Sequence, residues 1–155
     1  MISGGAGFIG SWLSEKLIEL GAEVTVVDNF STGSMKNIEE LIPNPRFKLI
    51  EANAQEVDAK GYDYLIHAAS IPSPDDYVRR PVETALSNAL GLLNFLKSGK
   101  RVLYMSSSEI YGDPQVIPTP ESYWGNVNPV GPRSCYDESK RFGEALCMAL
   151  QGRRE

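Results

Sequence analysis

The chain has 155 residues, 42% of them hydrophobic and 23% charged, with 15 basic against 20 acidic side chains for a formal net charge of -5, which suits one ordinary globular domain with a real core. Fourteen Gly and ten Pro fall in no period, repeat or low-complexity run, which excludes collagen, disorder and solenoids. A pI near 5.0 without a Lys/Arg cluster larger than a pair argues against a nucleic-acid partner, and the lack of a bilayer-length apolar run or a signal-peptide pattern predicts a cytoplasmic protein with no membrane partner.

Ile2 and Ser3 read as the end of a strand that runs into Gly4-Gly5-Ala6-Gly7-Phe8-Ile9-Gly10. Ile9, Leu13, Leu17 and Leu20 then recur at helical spacing, with Gly21 as the C-terminal cap. Glu23 to Asp28 is short and β-branched, which predicts a buried parallel strand, and a turn rich in Gly, Ser and Asn follows over Asn29 to Ser34. A short helix from Lys36 to about Leu41 and a strand at Phe47 to Glu51 come next. Tyr64 to Ala68 predicts a fourth strand, Pro81 to Lys97 a helix with Gly99 past its end, and Arg101 to Ser106 a fifth strand. Five prolines (Pro114, Pro118, Pro120, Pro129, Pro132) forbid regular structure between Tyr111 and Pro132, so that segment is expected to be a functional loop or lid. Ser134 to roughly Arg153 reads as a final helix.

Strands alternating with helices at this spacing predict an α/β, doubly wound parallel sheet with helices on both faces, in three layers. The first strand has almost no residues before its glycines, and the chain stops in a helix where another strand is due. The expectation is therefore one Rossmann-like domain over residues 1–155, cut at both ends and without a separate substrate domain. Cys135 and Cys147 share the last helix about 18 Å apart, beyond disulfide reach. Free thiols follow, and a single His leaves no zinc set.

Gly4, Gly7 and Gly10 stand at a strand-to-helix turn, where bare backbone lets a dinucleotide pyrophosphate approach unpaired N–H groups at a helix N-terminus. Glycines alone mean little, since any tight turn needs them. They gain weight because Asp28 ends the next strand, where a carboxylate accepts both adenosine-ribose hydroxyls and repels a 2′-phosphate. No Arg follows in Asn29 to Ser34, so the cofactor expected is NAD rather than NADP.

Tyr136 and Lys140 are spaced i, i+4 and so share a helix face. Read with Ser106-Ser107-Ser108-Glu109 at the C-terminal end of the fifth strand, where ligands bind in open α/β sheets, they make a proton-transfer set. A Tyr with a reference pKa of about 10 becomes a usable base when a Lys and a nicotinamide cation stabilise its phenolate. The plainer alternative is a helix aromatic, a solvated charge and a strand-end turn. His67 reads as a packed or backbone-bonded core residue. Asn88 reads equally well as a helix polar residue or as a partner of water or backbone near Lys140. Arg79, Arg80, Arg153 and Arg154 read as solvated charge, with a phosphate contact open for Arg79 or Arg80; Phe142, Leu146 and Leu150 read as core or partner-facing.

The glycine turn, the Ser107/Tyr136/Lys140 set and Ser106-Ser107-Ser108-Glu109-Ile110-Tyr111-Gly112-Asp113-Pro114 resemble the extended short-chain dehydrogenase/reductase superfamily of nucleotide-sugar enzymes. Within it, the run from Tyr123-Trp124-Gly125-Asn126 through Pro132-Arg133-Ser134-Cys135-Tyr136-Asp137-Glu138-Ser139-Lys140-Arg141 is similar to the UDP-glucuronic acid decarboxylase (UDP-xylose synthase) family, as are Ala69-Ser70-Ile71-Pro72-Ser73-Pro74 and Tyr77. The resemblance covers essentially the whole chain but only the N-terminal half of the family's length. It implies conversion of UDP-glucuronate to UDP-xylose through a 4-keto sugar. Tyr136 takes the C4 hydroxyl proton as hydride passes to NAD, Ser107 bonds the same oxygen, and Lys140 holds the phenolate. The C4 ketone then makes the sugar a β-keto acid that loses CO₂, and after protonation at C5 the hydride returns.

By the same resemblance, Glu109 stands near the sugar carboxylate and either orients reacting groups or relays a proton. The cofactor-binding set is Gly4, Gly7, Phe8, Ile9, Gly10, Asp28, Asn29, Asn53, Ala68, Ala69, Ser87, Tyr136 and Lys140. The substrate-binding set is Pro72, Tyr77, Ser107, Ser108, Glu109 and Tyr136, and a homodimer through the two long helices is implied. Related 4,6-dehydratases carry Asp then Glu at the positions of Ser108 and Glu109, so Ser108 favours decarboxylation, and many 4-epimerases lack the Glu, so Glu109 argues against that branch. Asn53 replaces an Asp, Leu86 a Lys and Ser107 a Thr. The uridine-binding region and an Arg for the substrate carboxylate belong to the absent half. A related dehydratase or epimerase, or a non-catalytic NAD-binding fragment, are the alternatives.

Overall fold

The computed structural model describes residues 1–98 and 101–151. Five strands, β1 (Ile2–Ser3), β2 (Val24–Asp28), β3 (Phe47–Glu51), β4 (Leu65–His67) and β5 (Val102–Tyr104), form one all-parallel sheet in the order β3-β2-β1-β4-β5. The helices are α1 (Phe8–Glu19), α2 (Pro74–Arg79), α3 (Pro81–Ser98) and α4 (Ser134–Gln151). The expected fold class stands, and the order reverses between β1 and β4, where a crevice opens beyond the strand ends.

Side-chain alternation sorts the core onto two faces. Ile2, Val24 and Val26 pack with Ile18, Leu13 and Leu17 of α1. Met1, Val27 and Leu65 pack on the opposite face with Phe95 of α3. Each fully buried aliphatic contributes about 1.5–3 kcal/mol, which explains why β2, covered on both sides, is buried along all five residues. The Met1 amine donates to Tyr64 O at 2.9 Å. Burial there lowers its pKa to about 6.

Four expectations need correction. Ile9 and Leu20 of the apolar pattern on α1 are 56% and 73% exposed, whereas Gly10, Ser11, Ser14 and Ile18 are its buried positions. The helix start lies so close to the glycine turn that only small side chains fit, and the serine hydroxyls are satisfied by the helix itself, Ser14 Oγ donating to Gly10 O at 2.7 Å. The helix expected from Lys36 to Leu41 is a single 3-10 turn, Met35–Asn37. Its apolar residues are spaced for burying only Ile38. The short α2 was not expected. Phe142 of α4 is 51% exposed, and the buried positions of that helix are Tyr136, Asp137, Ser139, Lys140 and Gly143, so of its two readings, core or partner-facing, Phe142 loses the first. The Gly99 cap, Arg153 and Arg154 lie outside the described residues.

The segment between Tyr111 and Pro132 is irregular, as its prolines require. Its waist is pinned by a Gly112/Asn126 bridge, with Asn126 N donating to Tyr111 O at 2.8 Å and Asp113 N to Asn126 O at 3.0 Å. Cys135 and Cys147 are free thiols.

Candidate active site

A cavity of about 940 Å³ lies at the strand C-termini, lined at one end by Gly4, Gly7, Phe8, Ile9, Gly10, Asp28, Asn29 and Asn53, and at the other by Met105, Ser106, Tyr136 and Lys140. Ala68, Ala69, Pro72 and Ser87 line it between these ends. Residues from the first 53 positions and residues from position 105 onward thus share one cleft.

The nucleotide end is shaped by missing side chains. Gly4 has φ +74°, and a Cβ there would lie 2.6 Å from Ala69 N; a Cβ on Gly10 would lie 2.7 Å from Gly5 Cα. Neither the conformation nor the space admits another residue. The N-cap of α1 is Gly7, which offers no capping side chain, so the first amides of the helix face the cavity without a protein acceptor from that residue. Asp28 is buried, with Oδ2 accepting from Ala6 N and Oδ1 from Phe30 N, both at 2.9 Å. These bonds fix the carboxylate between the glycine turn and the end of β2, and each oxygen keeps a further lone pair. Asn29 Nδ2 donates to Asn53 Oδ1 at 2.8 Å, and Asn53 Nδ2 to Glu56 Oε1 at 3.0 Å. A cradle that a Cβ would fill, uncapped helix amides and a fixed carboxylate fit a dinucleotide.

The chemical end depends on placed side chains. Lys140 is 3% exposed, donates to Met105 O at 2.8 Å, and lies 5.1 Å from the Tyr104 ring centre and 5.7 Å from that of Tyr136. Burial lowers its pKa to about 8, because the ammonium has lost water without gaining a carboxylate. Tyr136 is buried and stacked on Tyr77, with ring centres 5.1 Å apart at 17°. Tyr77 is 1% exposed and stands behind Tyr136 rather than on the cavity wall, with a buried hydroxyl that has no protein partner.

Ser107, Ser108 and Glu109 follow the wall residue Ser106 into a 3-10 turn, Ser108–Tyr111. Ser107 Oγ accepts from Glu109 N at 3.2 Å, and Ser106 Oγ donates to Glu144 Oε1 at 2.6 Å. Glu109 pairs with Arg133. Arg133 was not singled out by sequence, although it precedes the Tyr136 helix by one residue. Asn88 Nδ2 donates to Ser139 Oγ at 2.9 Å, and Ser139 Oγ to Tyr136 O at 2.9 Å, so Asn88 supports the helix that carries Tyr136 and Lys140. His67 is a core residue: Nδ1 and Ser3 Oγ are 2.8 Å apart, and burial, assisted by the Lys140 charge, lowers its pKa to about 3. Leu86 lines the cavity. Arg80 reaches Ser31 O at 3.4 Å and Glu83 at 3.5 Å. Among the described residues no cluster of three His, Cys, Asp or Glu is placed to hold a metal, and no helix is long and apolar enough to cross a membrane.

The sequence matches the NAD dependent epimerase/dehydratase family over residues 1–154. The chain belongs to that family. UDP-glucuronic acid decarboxylase 1 of Xenopus tropicalis is 48% identical over 153 residues, which cover 96% of this chain and 36% of that protein. The chain therefore spans about a third of that relative's length. Among solved structures, the UDP-N-acetylglucosamine 4-epimerase of Methanobrevibacter ruminantium M1 superposes with a TM-score of 0.82 at 29% identity, over 97% of this chain and 49% of the epimerase. The Bordetella bronchiseptica enzyme WbmG, solved in complex with NAD and UDP, superposes with a TM-score of 0.78 at 29% identity, over 95% of this chain and 48% of its own. Within the epimerase/dehydratase family, sequence separates what the backbone does not: identity rises from 29% with these two structures to 48% with the decarboxylase.

Proposed function

We propose that the protein carrying this chain is an NAD-dependent UDP-glucuronate decarboxylase and that these residues form its cofactor cleft and most of its catalytic edge. The observation that carries the reading is Glu109, held beside the Tyr136 helix and following Ser108 where related dehydratases place an Asp; the 48% identity with a decarboxylase supports it.

NAD, when bound, accepts a hydride from the sugar and returns it. Gly4, Gly7 and the amides of Phe8, Ile9 and Gly10 would hold its pyrophosphate, Asp28 its adenosine ribose, and Asn29, Asn53, Ala68, Ala69 and Ser87 the remaining wall. A 2′-phosphate would meet the Asp28 carboxylate, which favours NAD over NADP. Tyr136 takes the proton from the C4 hydroxyl, and the Lys140 ammonium 5.7 Å from its ring centre stabilises the phenolate. Ser107 hydrogen-bonds the developing C4 oxygen. The C4 ketone makes the C5 carboxylate that of a β-keto acid, so CO₂ leaves while the electron pair of the broken C5–carboxylate bond stays on the sugar as an enolate with its charge on the C4 oxygen, and that enolate takes a solvent proton at C5. Glu109 lies on the side of the carboxylate, and the Tyr136 proton is returned to the C4 oxygen when the ketone is reduced.

Leu90 on α3 and Phe142 on α4 are each at least 43% exposed and lie away from the cavity lining. They support a homodimer through these helices.

Product analysis of the complete protein with UDP-glucuronate tests the reading. UDP-xylose and CO₂ are expected. UDP-galacturonate would assign an epimerase, a 4-keto-6-deoxy product from UDP-glucose a dehydratase, and tight NAD binding without turnover a non-catalytic cofactor module.

A further inference from the structure

The backbone of Glu109 is fixed by the Ser107 cap, but its side chain has three torsions and needs a partner to keep the carboxylate in one place. That partner is the Arg133 guanidinium. Arg133 immediately precedes α4, and its carbonyl accepts from Tyr136 N at 2.9 Å and Asp137 N at 3.1 Å, so its backbone belongs to the first turn of the helix that carries the catalytic tyrosine. Two turns on, Arg141 donates to Ile110 O at 2.8 Å and to Trp124 O at 2.7 Å. The 3-10 turn bearing Glu109 is thus clamped to α4 by two arginines, one on its carboxylate and one on its backbone.

The side chains of the Arg133–Glu109 pair are 50% and 37% exposed, so the pair contributes little to stability; its effect is geometric. A guanidinium presents a planar fork that orients a carboxylate as well as attracting it. Of the other charged groups at this end of α4, Asp137 is buried with Oδ1 unpartnered and is also drawn by the Arg133 charge. Glu138 lies 3.7 Å from Arg141. Glu109 is therefore the acid that Arg133 pairs with.

We infer that Arg133 is the positioning residue for Glu109, fixing its carboxylate relative to Tyr136 so that the oxidised sugar meets both groups in register. The inference rests on the decarboxylase reading. In the complete protein, Arg133→Met is expected to lower kcat for UDP-glucuronate about tenfold or more, as misplacement of a catalytic group does, with KM and NAD affinity within about threefold, and Arg133→Lys is expected to recover a substantial part of kcat. A kcat for Arg133→Met within twofold of wild type would overturn the inference. So would a raised KM at unchanged kcat, which would make Arg133 a direct substrate ligand, or loss of NAD binding in both variants, which would make it merely structural. If the unmodified protein forms no UDP-xylose, the decarboxylase reading fails on its own, and the pairing is read instead from the Arg133 Nε–H NMR resonance. A shift of that resonance on Glu109→Gln supports the pairing; an unchanged resonance refutes it.

Discussion

The two ends of the cleft are built on different principles. At the nucleotide end the decisive atoms are main chain: the left-handed Gly4, the close approach at Gly10, the uncapped start of α1, and the two amides that fix Asp28. At the chemical end they are side chains brought together from the 3-10 turn and α4 and held by side-chain contacts: Lys140 on Met105 O and the Tyr104 ring, Tyr136 on Tyr77, Glu109 on Arg133. The first end tolerates almost no substitution because there is no room for one. The second tolerates substitution of shape but not of chemistry, and the two should therefore fail in different ways.

The largest expected effect lies at the nucleotide end. Gly10→Val would drive side-chain atoms into the Gly4–Gly5 backbone, and calorimetric titration should find NAD binding weakened by about a hundredfold or more. Native-like affinity in that variant would break the comparison. Next, Tyr136→Phe should lower UDP-xylose formation by the complete protein by about 10²–10⁴ while leaving NAD affinity within about threefold. Equal loss of both would mean that the two ends are not separable. Asp28→Ala should cost about tenfold or more in NAD affinity, the loss of its charge-assisted hydrogen bonds to the ribose, and narrow the preference over NADP, read by competition between the two cofactors.

The smallest effect concerns the core beneath the cleft. His67 has its folded pKa lowered to about 3 from an ordinary 6.5, so the unfolded chain binds its proton more readily. Stability should therefore be intact above pH 6.5 and fall progressively as pH drops toward 3. His67→Gln should flatten the fall of the urea midpoint between pH 6.5 and 4.5 relative to wild type. An unchanged slope would remove His67 as its source.

The same difference explains what could be read from sequence. The glycine turn and Asp28 are legible because steric exclusion leaves a fixed spelling: strand, glycines, helix, strand, acid. Burial on both faces of the sheet likewise writes β2 as a β-branched run, Val24-Thr25-Val26-Val27, ahead of Asp28. The start of α1 misled, because its apolar period follows Ile9 and Leu20 while the close approach it must make favours Gly10, Ser11 and Ser14. At the chemical end, Tyr136 and Lys140 are legible as a helical pair, but their relation to Glu109 came only through resemblance. Spacing carries no sign that Arg133 and Arg141 bind a turn 24 to 31 residues earlier, since ion pairs between separate elements leave no period. Tyr77 shows the limit from the other side: resemblance puts it among the substrate-binding residues, whereas it stands behind Tyr136, buried.

The account's central claim is that the sugar is oxidised at C4 and that the same hydride comes back to C4 after CO₂ has left. The most direct test is turnover of UDP-glucuronate deuterated at C4 by the complete protein, with unlabelled NADH present in excess and the product examined by proton NMR. The account predicts UDP-xylose that keeps deuterium at C4. UDP-xylose with deuterium lost from C4, or an unreacted carboxylate under conditions where NAD is bound, would contradict it.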